Sequence, residues 1–471
     1  MRRLLPLVGL LACASRGPAP DLAALSRVPP RTPAEALELG QSLQAARLDG
    51  ASLGPLRTAA AAPGPAQEAA VEALLGAQSR LDEQLLVPAF LAAHPEAQPG
   101  SAELRERALL LRGLEAQRTG ALELAESLLR RIPPQSNLAA RARYALAIVL
   151  SDPRRPGGPR MQAALDELQA VLADGGGGRD AREIRALAQL ALGRLLYGLR
   201  DDAASAAAYD RVPRDARVWP ESLFERGYPR FRAGDDGGAL GTLHATRAPQ
   251  LRDSFLPEAR ILEATVLFHA CLYRETRGVL DGLTAGYRPL SERLAALAER
   301  RPSSAEEVAL LTDPGRRAAL DPGLGPALAA EPRIAAGLRL LRTLEAERTR
   351  VGAAGEGEVL QQLDRVQEEA LQATAQEIHA RIVETAAALR DLLEQADVLR
   401  FETTRGETEL LDADVDQRKL LAARPLPPLP TGGPADERWR VDGEWWADEI
   451  GHARATLKNG CPAPQATPSV R

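Results

Sequence analysis

Two neighbouring stretches decide the fold, LALGRLLYGLRDDAASAAAYDRVP at residues 190–213 and LFERGYPRFRAGDDGGALGTLHATRAP at residues 223–249. Each carries a Gly on its predicted first helix, a small residue twelve positions later and a bulky residue sixteen positions later. The matching positions are Gly193, Ser205 and Tyr209 in the first stretch and Gly227, Ala239 and Leu243 in the second. The two glycines lie 34 residues apart, so the stretches predict successive helical hairpins in one register.

A 34-residue period with this spacing of small and bulky residues is typical of tetratricopeptide repeats. The small residues let the two helices of a pair approach closely, and the bulky ones fill the space between neighbouring pairs. Further signature positions lie at Gly113, Ala125, Ala147 and Ala264. The period is lengthened to 46 residues between Ala147 and Gly193 by an inserted loop at residues 152–160 and by the glycines at residues 175–178, and we expect both segments to face solvent. The last period, from Gly227 to Ala264, is 37 residues.

The composition favours an all-α protein, because only 3% of the residues are aromatic and Ala, Leu, Arg and Glu dominate. We expect an α-solenoid of tetratricopeptide-like hairpins, then a long amphipathic or coiled-coil helix and a tail joined by a Pro-rich linker. The expected regions are a signal peptide (1–12), a lipid-anchored tether (13–31), an N-terminal helical cap (32–100), the repeats (101–285), a C-terminal helical cap (286–355), the long helix (356–415), and the linker and tail (416–471).

Two capping boxes mark predicted helix starts. Thr32, Pro33 and Glu35 supply a hydroxyl N-cap, a Pro at the first helical position and a carboxylate at the third. Ser303 and Glu306 repeat the pattern in the expected C-terminal cap.

The N-terminus, MRRLLPLVGLLACAS, combines two arginines with an apolar run too short to span a bilayer. This pattern predicts a secretory signal, and its end resembles a bacterial lipobox in which Cys13 is acylated. The alternative is an ordinary signal peptide that is cut elsewhere. A lipid on Cys13 would make the protein an outer-membrane lipoprotein that faces the periplasm.

Cys271 and Cys461 remain as an even pair in a compartment that permits disulfides. Two alternatives stay open at this point: a disulfide that links the repeats to the tail, or a buried thiol at Cys271.

The stretch from Val359 to Phe401 contains neither Gly nor Pro, and its apolar residues recur at steps of three and four. We expect a helix that packs along the repeats, in preference to one that dimerises as a coiled coil.

A Pro-rich linker, ARPLPPLPTGGPADER at residues 423–438, leads to a tail that holds three of the four tryptophans, Trp439, Trp445 and Trp446. Aromatic residues on a polar tail need a docking surface. We expect docking within the same chain, with a partner protein or a membrane interface as the alternatives.

The lipobox-like start, the repeats ALGTLHATRAP and LPEARILEATVLFHACLYRETRGVL, and the WRVDGEWW tail with its following Cys resemble tetratricopeptide repeat lipoproteins of the myxobacterial adventurous gliding motility machinery. The resemblance covers roughly residues 109–461. It implies an anchored envelope scaffold that binds protein partners and carries no catalytic residues.

The sequence gives little support for chemistry. Five scattered histidines lack metal-ligand spacing, and no nucleophile elbow or phosphate-binding loop is present. The net charge of −5 with interleaved signs argues against nucleic-acid binding. We therefore expect no catalytic residues, metal, cofactor or small-molecule substrate. Three functions remain: a structural subunit of a gliding machine, a lipoprotein of outer-membrane biogenesis or cell division, and an enzyme whose site would lie in the linker or tail.

Overall fold

A computed structural model describes residues 29–174, 179–300, 302–352, 357–413, 445, 450–457 and 460–461. Within these ranges the chain is helical and has no β-strand, which confirms the all-α class. No helix in this part of the chain has the length and apolar character needed to cross a membrane. Several predicted features lie outside the described residues: the signal peptide, Cys13, most of the tether, the whole Pro-rich linker at residues 423–438, Trp439 and Trp446.

The helices follow one another with short connections. They are α1 Pro33–Ala45, α2 Asp49–Ala61, α3 Gln67–Leu81, α4 Leu86–Ala93, α5 Ala102–Arg118, α6 Leu122–Leu129, α7 Ala139–Ser151, α8 Met161–Ala173, α9 Arg179–Gly198, α10 Asp202–Asp210, α11 Trp219–Glu225, α12 Gly227–Arg232, α13 Asp236–Ala245, α14 Glu258–His269, α15 Tyr273–Arg300, α16 Ser304–Thr312, α17 Pro314–Leu320, α18 Leu324–Ala330, α19 Pro332–Gly352 and α20 Glu358–Ala413. A 3₁₀ turn covers Pro249–Leu251.

Both predicted capping boxes are confirmed. The Glu35 N–H donates to Thr32 Oγ1 at 3.2 Å, and the Thr32 N–H donates to Glu35 Oε2 at 3.3 Å. At the start of α16, the Glu306 N–H donates to Ser303 Oγ at 3.4 Å, and the Ser303 N–H donates to Glu306 Oε2 at 3.0 Å. Each exchange satisfies backbone donors that a helix start leaves without an intrahelical partner.

The chain forms two compact units, and each combines two separate stretches of sequence. The described residues of the first unit lie within 29–108 and 336–370, and those of the second lie within 109–335 and 371–461. In each unit a late stretch of the chain packs with an early one. Helical periodicity identifies an apolar face, but it does not identify the distant segment that covers that face.

In the first unit, a late helix caps an early one. Glu347 on α19 is only 3% exposed, and its carboxylate accepts the N–H groups of Gly50 at 3.0 Å and Ala51 at 2.8 Å. These donors lie in the first turn of α2, where Leu48 provides no side-chain cap. Burial raises the pKa of Glu347. Arg57 and Glu369 add an ion pair at 2.5 Å between α2 and the start of α20.

In the second unit, neighbouring helices pack in pairs, and the Gly positions of the sequence register lie at close approaches. A Cβ atom added to Gly113 would lie 2.8 Å from Leu129, and one added to Gly193 would lie 2.6 Å from Tyr209. One added to Gly227 would lie 3.3 Å from Leu243 and 3.0 Å from Leu262. In all three hairpins the bulky contact includes the residue sixteen positions later.

The other signature residues are in the core. Ser205 is fully buried, and its hydroxyl donates to the Gly193 carbonyl oxygen at 2.8 Å. The alanines at signature positions have at most 1% exposure, and they are Ala125, Ala147, Ala239 and Ala264. The small residues that the sequence spacing identified are therefore buried where the helices pack.

The inserted loop at residues 152–160 departs from the solvent-facing expectation at one residue. Arg155 is 6% exposed and forms an ion pair with Glu126 of α6 at 2.7 Å. Glu126 also pairs with Arg130 and Arg160, so it anchors the loop to the hairpin before it. A loop composition rich in Arg, Pro and Gly does not reveal such a buried pair.

Helix α20 runs from Glu358 to Ala413 without interruption. Ten apolar residues recur mostly at steps of three and four along this helix, and nine of them are buried in the structure. They are Val359, Leu363, Val366, Ala370, Ile378, Ile382, Leu389, Leu392 and Ala396. The tenth, Leu399, is half-buried. The apolar stripe thus packs against other parts of the same chain, within each unit, as expected of a helix that lies along its neighbours.

Candidate functional site

A cavity of about 610 Å³ lies in the second unit between repeat helices and α20. Its walls come from α9 to α12, from the turn before α14, and from residues 381–389 of α20. Tyr209, the bulky signature residue of the α9–α10 hairpin, is part of this lining.

A charged network forms the floor of the cavity. The Arg194 guanidinium donates to Glu225 at 2.9 and 2.6 Å and also contacts Glu221. The Tyr209 hydroxyl donates to Glu225 Oε2 at 3.0 Å. Burial by itself lowers the pKa of Arg194, but its hydrogen bond and charge interaction with Glu225 outweigh this effect and raise it. Burial and the neighbouring Glu225 both raise the pKa of Tyr209. The signature residue Tyr209 thus joins the packing register to the cavity.

The cavity lining carries an excess of negative charge. Its acidic side chains are Glu221, Glu225, Glu258 and Glu384, against the two cations Arg194 and Arg381. Burial raises the pKa of Glu258, and the charges of Glu221 and Glu225 raise it further. A cation placed in the cavity would relieve this repulsion.

Aromatic rings complete the cavity wall. Tyr228 lies between two other rings, with centroids 5.5 Å from Phe224 and 6.0 Å from Tyr197. Rings and carboxylates together suit an Arg or Lys side chain, whose apolar stem packs on aromatic faces while its charge meets the acids.

Ion pairs fix α20 beside the cavity. Arg381 bonds Glu331 at 2.8 Å and Glu384 at 2.6 Å. His379 Nδ1 lies 2.7 Å from Glu307 Oε1 on α16. These contacts hold α20 in the second unit of the same chain. Arg381 forms ion pairs with Glu331 and Glu384, and its side chain is also partly exposed to solvent.

A second surface of the unit holds the C-terminal tail. The Ala455 N–H donates to the Gly237 carbonyl at 2.9 Å, and the Gly460 N–H donates to the Ala270 carbonyl at 2.8 Å. A Cβ atom added to Gly241 would lie only 1.8 Å from the carbonyl oxygen of Ala453. The tail backbone therefore rests on a helix face from which side chains are missing.

Apolar and aromatic side chains anchor the tail. Ile450 is 5% exposed and packs with Leu223 and Leu251. The Trp445 ring stacks on His244 with centroids 4.6 Å apart. In the structure, Trp445 thus docks onto His244 of α13 in the same chain. Trp439 and Trp446 lie outside the described residues.

Cys271 and Cys461 form a disulfide in the structure, with Cα atoms 4.9 Å apart. The bond joins the turn after α14 to the end of the described tail. Cys271 has φ of +56°, a left-handed conformation that turns the chain toward α15. The sequence left open a disulfide or a buried thiol at Cys271, and the structure has the disulfide.

Sequence reasoning missed the surface that receives the tail. Its signal was available in α13, where Gly237, Gly238 and Gly241 fall within one predicted helix. Glycine in a helix interior costs roughly 0.5–1 kcal/mol relative to Ala, so three of them call for a packing reason. The close approach of the tail backbone is the reason at Gly237 and Gly241, whereas a Cβ atom on Gly238 would meet the side chain of Asp235.

Among the described residues, no group of three or more His, Cys, Asp or Glu side chains could hold a metal ion. A scan with protein-family models gives no match to this chain, and a search of curated proteins gives none.

Proposed function

We propose that this protein is a non-catalytic scaffold, anchored to the outer membrane and facing the periplasm, that binds protein partners through tetratricopeptide-like repeats. The observation that carries the proposal is the recurrence of one packing unit: Gly113, Gly193 and Gly227 each meet a bulky side chain sixteen residues later. Stacked hairpins with a common register present a continuous surface, and this architecture is used to hold other proteins.

The chemistry of the cavity supports binding to a basic partner. Glu258 faces the cavity with a raised pKa, and two further carboxylates lie near enough to add to that shift. The bridge between Cys271 and Cys461 is in keeping with an oxidising compartment such as the periplasm. The sequence resemblance suggests that the assembly is the gliding motility complex, in which this chain would be a structural subunit.

Partner binding is tested by crosslinking in the native envelope followed by affinity capture of the full chain. Glu258→Lys reverses a charge in the cavity, and Glu123→Lys makes the same change at an exposed position on α6. We expect partners captured by the wild type and by Glu123→Lys to be lost with Glu258→Lys. Equal capture by all three proteins would contradict binding at the cavity.

Deletion of the gene and tracking of single cells on agar tests the assembly. We expect impaired gliding with normal septation and normal outer-membrane protein levels. Unimpaired movement would refute the motility role, and altered septation or outer-membrane protein levels would point to the biogenesis or division alternative. Fractionation of Cys13→Ala cells tests the anchor, because loss of the lipid should release the protein from membranes.

A further inference from the structure

A small pocket of about 220 Å³ lies between α10, α11 and α12 on one side and tail residues 450–452 on the other. Three arginines and a histidine line it: Arg214, Arg226, Arg230 and His452. Asp210 is the one carboxylate among the described lining residues. Arginines therefore outnumber carboxylates among the described lining residues, opposite to the acidic cavity elsewhere in the same unit.

Arg226 forms the buried wall of the pocket. It is 6% exposed, and its guanidinium contacts Asp210 and donates to the Gly451 carbonyl oxygen at 2.6 Å. Its Nε is buried and has no hydrogen-bond partner among the described residues. Burial, followed by the charge of Arg230, lowers the pKa of Arg226 to about 10, so the group remains cationic at neutral pH. Asp210 compensates the charge of Arg226, but the buried Nε donor has no acceptor among the described residues, and such an unsatisfied donor is costly.

Arg230 and Arg214 place further positive charge around the same space. Arg230 donates to Thr242 Oγ1 at 3.2 Å and to the Gly238 carbonyl oxygen at 3.3 Å, and both of these acceptors are neutral. The nearby carboxylate of Asp235 is paired with Arg454. Arg214 is exposed at the mouth of the pocket, with its guanidinium carbon 5.9 Å from the centroid of the Trp219 ring.

The pKa of His452 is sensitive to the burial and the positive charge at the pocket. Burial lowers its pKa, and the charges of Arg214, Arg226 and Arg230 lower it further. The arginines thus act together on a group at the pocket mouth. An anion bound there would reverse this effect.

We infer that this pocket binds a phosphate group, as inorganic phosphate or as the headgroup of an anionic phospholipid. Guanidinium groups match the oxygens of phosphate in geometry and bind it with charge-assisted hydrogen bonds. The pocket is larger than one ion requires, so it leaves room for the carbon groups to which a phosphate is esterified. Ile450 and Gly451 belong to the wall, so phosphate binding and tail docking stabilise each other.

Calorimetric titration of the full oxidised chain with sodium phosphate tests the site, with sodium chloride at equal ionic strength as reference. Arg214→Gln removes a charge at the exposed mouth, where loss of folding is not expected, and Arg211→Gln removes the same charge from an exposed position outside the pocket. We expect saturable one-site binding that Arg214→Gln weakens about tenfold, as loss of one charged hydrogen bond predicts, and that Arg211→Gln changes by less than about twofold.

A phosphate heat equal to that of chloride, or equal affinity in Arg214→Gln and wild type, would overturn the inference. Co-sedimentation of the Cys13→Ala chain distinguishes the two sources. Binding to phosphatidylglycerol vesicles but not phosphatidylcholine vesicles, with competition by free phosphate, identifies the headgroup; binding of free phosphate alone identifies the soluble ion. Neither measurement needs a protein partner or the lipid anchor, so its outcome is independent of the proposed scaffold function.

Discussion

Gly193 lies directly against the ring of Tyr209, sixteen residues further along the chain. A Cβ atom on Gly193 would lie 2.6 Å from Cε1 and 2.7 Å from Cζ of that ring. Tyr209 is 4% exposed, and its hydroxyl donates to Glu225 at 3.0 Å, so the ring cannot withdraw without breaking this hydrogen bond. One close approach therefore links the repeat register to the floor of the acidic cavity.

Substitution of Gly193 by Ala should destabilise the protein by about 1–3 kcal/mol, because the added methyl group overpacks a fixed ring. Urea unfolding followed by circular dichroism measures the change. The matched control is Gly286→Ala on α15, where a Cβ atom would meet no heavy atom within 4 Å. That substitution should stabilise the helix by roughly 0.5–1 kcal/mol.

The cause can be isolated in the Tyr209→Ala background. With the ring removed, Gly193→Ala should lose most of its cost and behave like the control substitution. An unchanged cost in that background would show that the Gly193 backbone, and not the ring contact, is responsible.

The contrast between the hairpins and the tail shows what a sequence can predict. Gly193 and Tyr209 belong to one hairpin, so their contact repeats at a fixed spacing and is visible as a pattern. Gly241 and Ala453 are separated by more than 200 residues, and their contact occurs once. The contact between Glu347 and Gly50 also occurs once and joins distant segments. The arginines of the small pocket are a further example, because the charge of a residue does not predict which distant segment it contacts.

Gly241→Ala should displace the tail, because the new methyl group would overlap the Ala453 carbonyl oxygen, which is backbone and cannot rotate away. We expect faster proteolysis between residues 445 and 461 and loss of the stacking of Trp445 on His244. Limited trypsin digestion followed by mass spectrometry measures this. Gly278→Ala, at an exposed helix position with open space around it, should leave the digestion pattern as in the wild type.

Nonreducing digestion should yield one peptide pair that joins Cys271 to Cys461, and reduction should separate it. The bridge closes a sequence separation of 190 residues, so its removal by Cys271→Ser should cost about 2–5 kcal/mol. Urea unfolding of wild type and variant under nonreducing conditions measures the cost. If the unfolding curves coincide and no linked peptide appears, the tail is not held by this bond.

The two faces of α20 should respond differently to truncation. Leu389 is 1% exposed and lines the acidic cavity, so Leu389→Ala should destabilise the second unit by about 2–5 kcal/mol. Val398 is 64% exposed, and Val398→Ala should change stability by less than about 0.5 kcal/mol. Thermal unfolding compares the two. Equal, large losses would indicate that the exposed face is covered, as in a dimer, and analytical ultracentrifugation would then show it.

Alkaline pH should destabilise the second unit partly through Tyr228. Burial, and then the charge of Glu258, raises the pKa of Tyr228 to about 12, against 10.0 for an unperturbed tyrosine. Below pH 10 the hydroxyl is protonated in both folded and unfolded chains, and its contribution to stability is complete. Above pH 10 the unfolded chain releases the proton first, so the free energy of unfolding falls by up to about 2–3 kcal/mol as the pH approaches 12. Tyr228→Phe keeps the ring but cannot ionise, so it should match the wild type at pH 8 and lose less stability between pH 10 and 12. Urea unfolding across that range, with tyrosinate absorbance at 295 nm as a second readout, measures the difference, and parallel pH profiles for the two proteins would refute it.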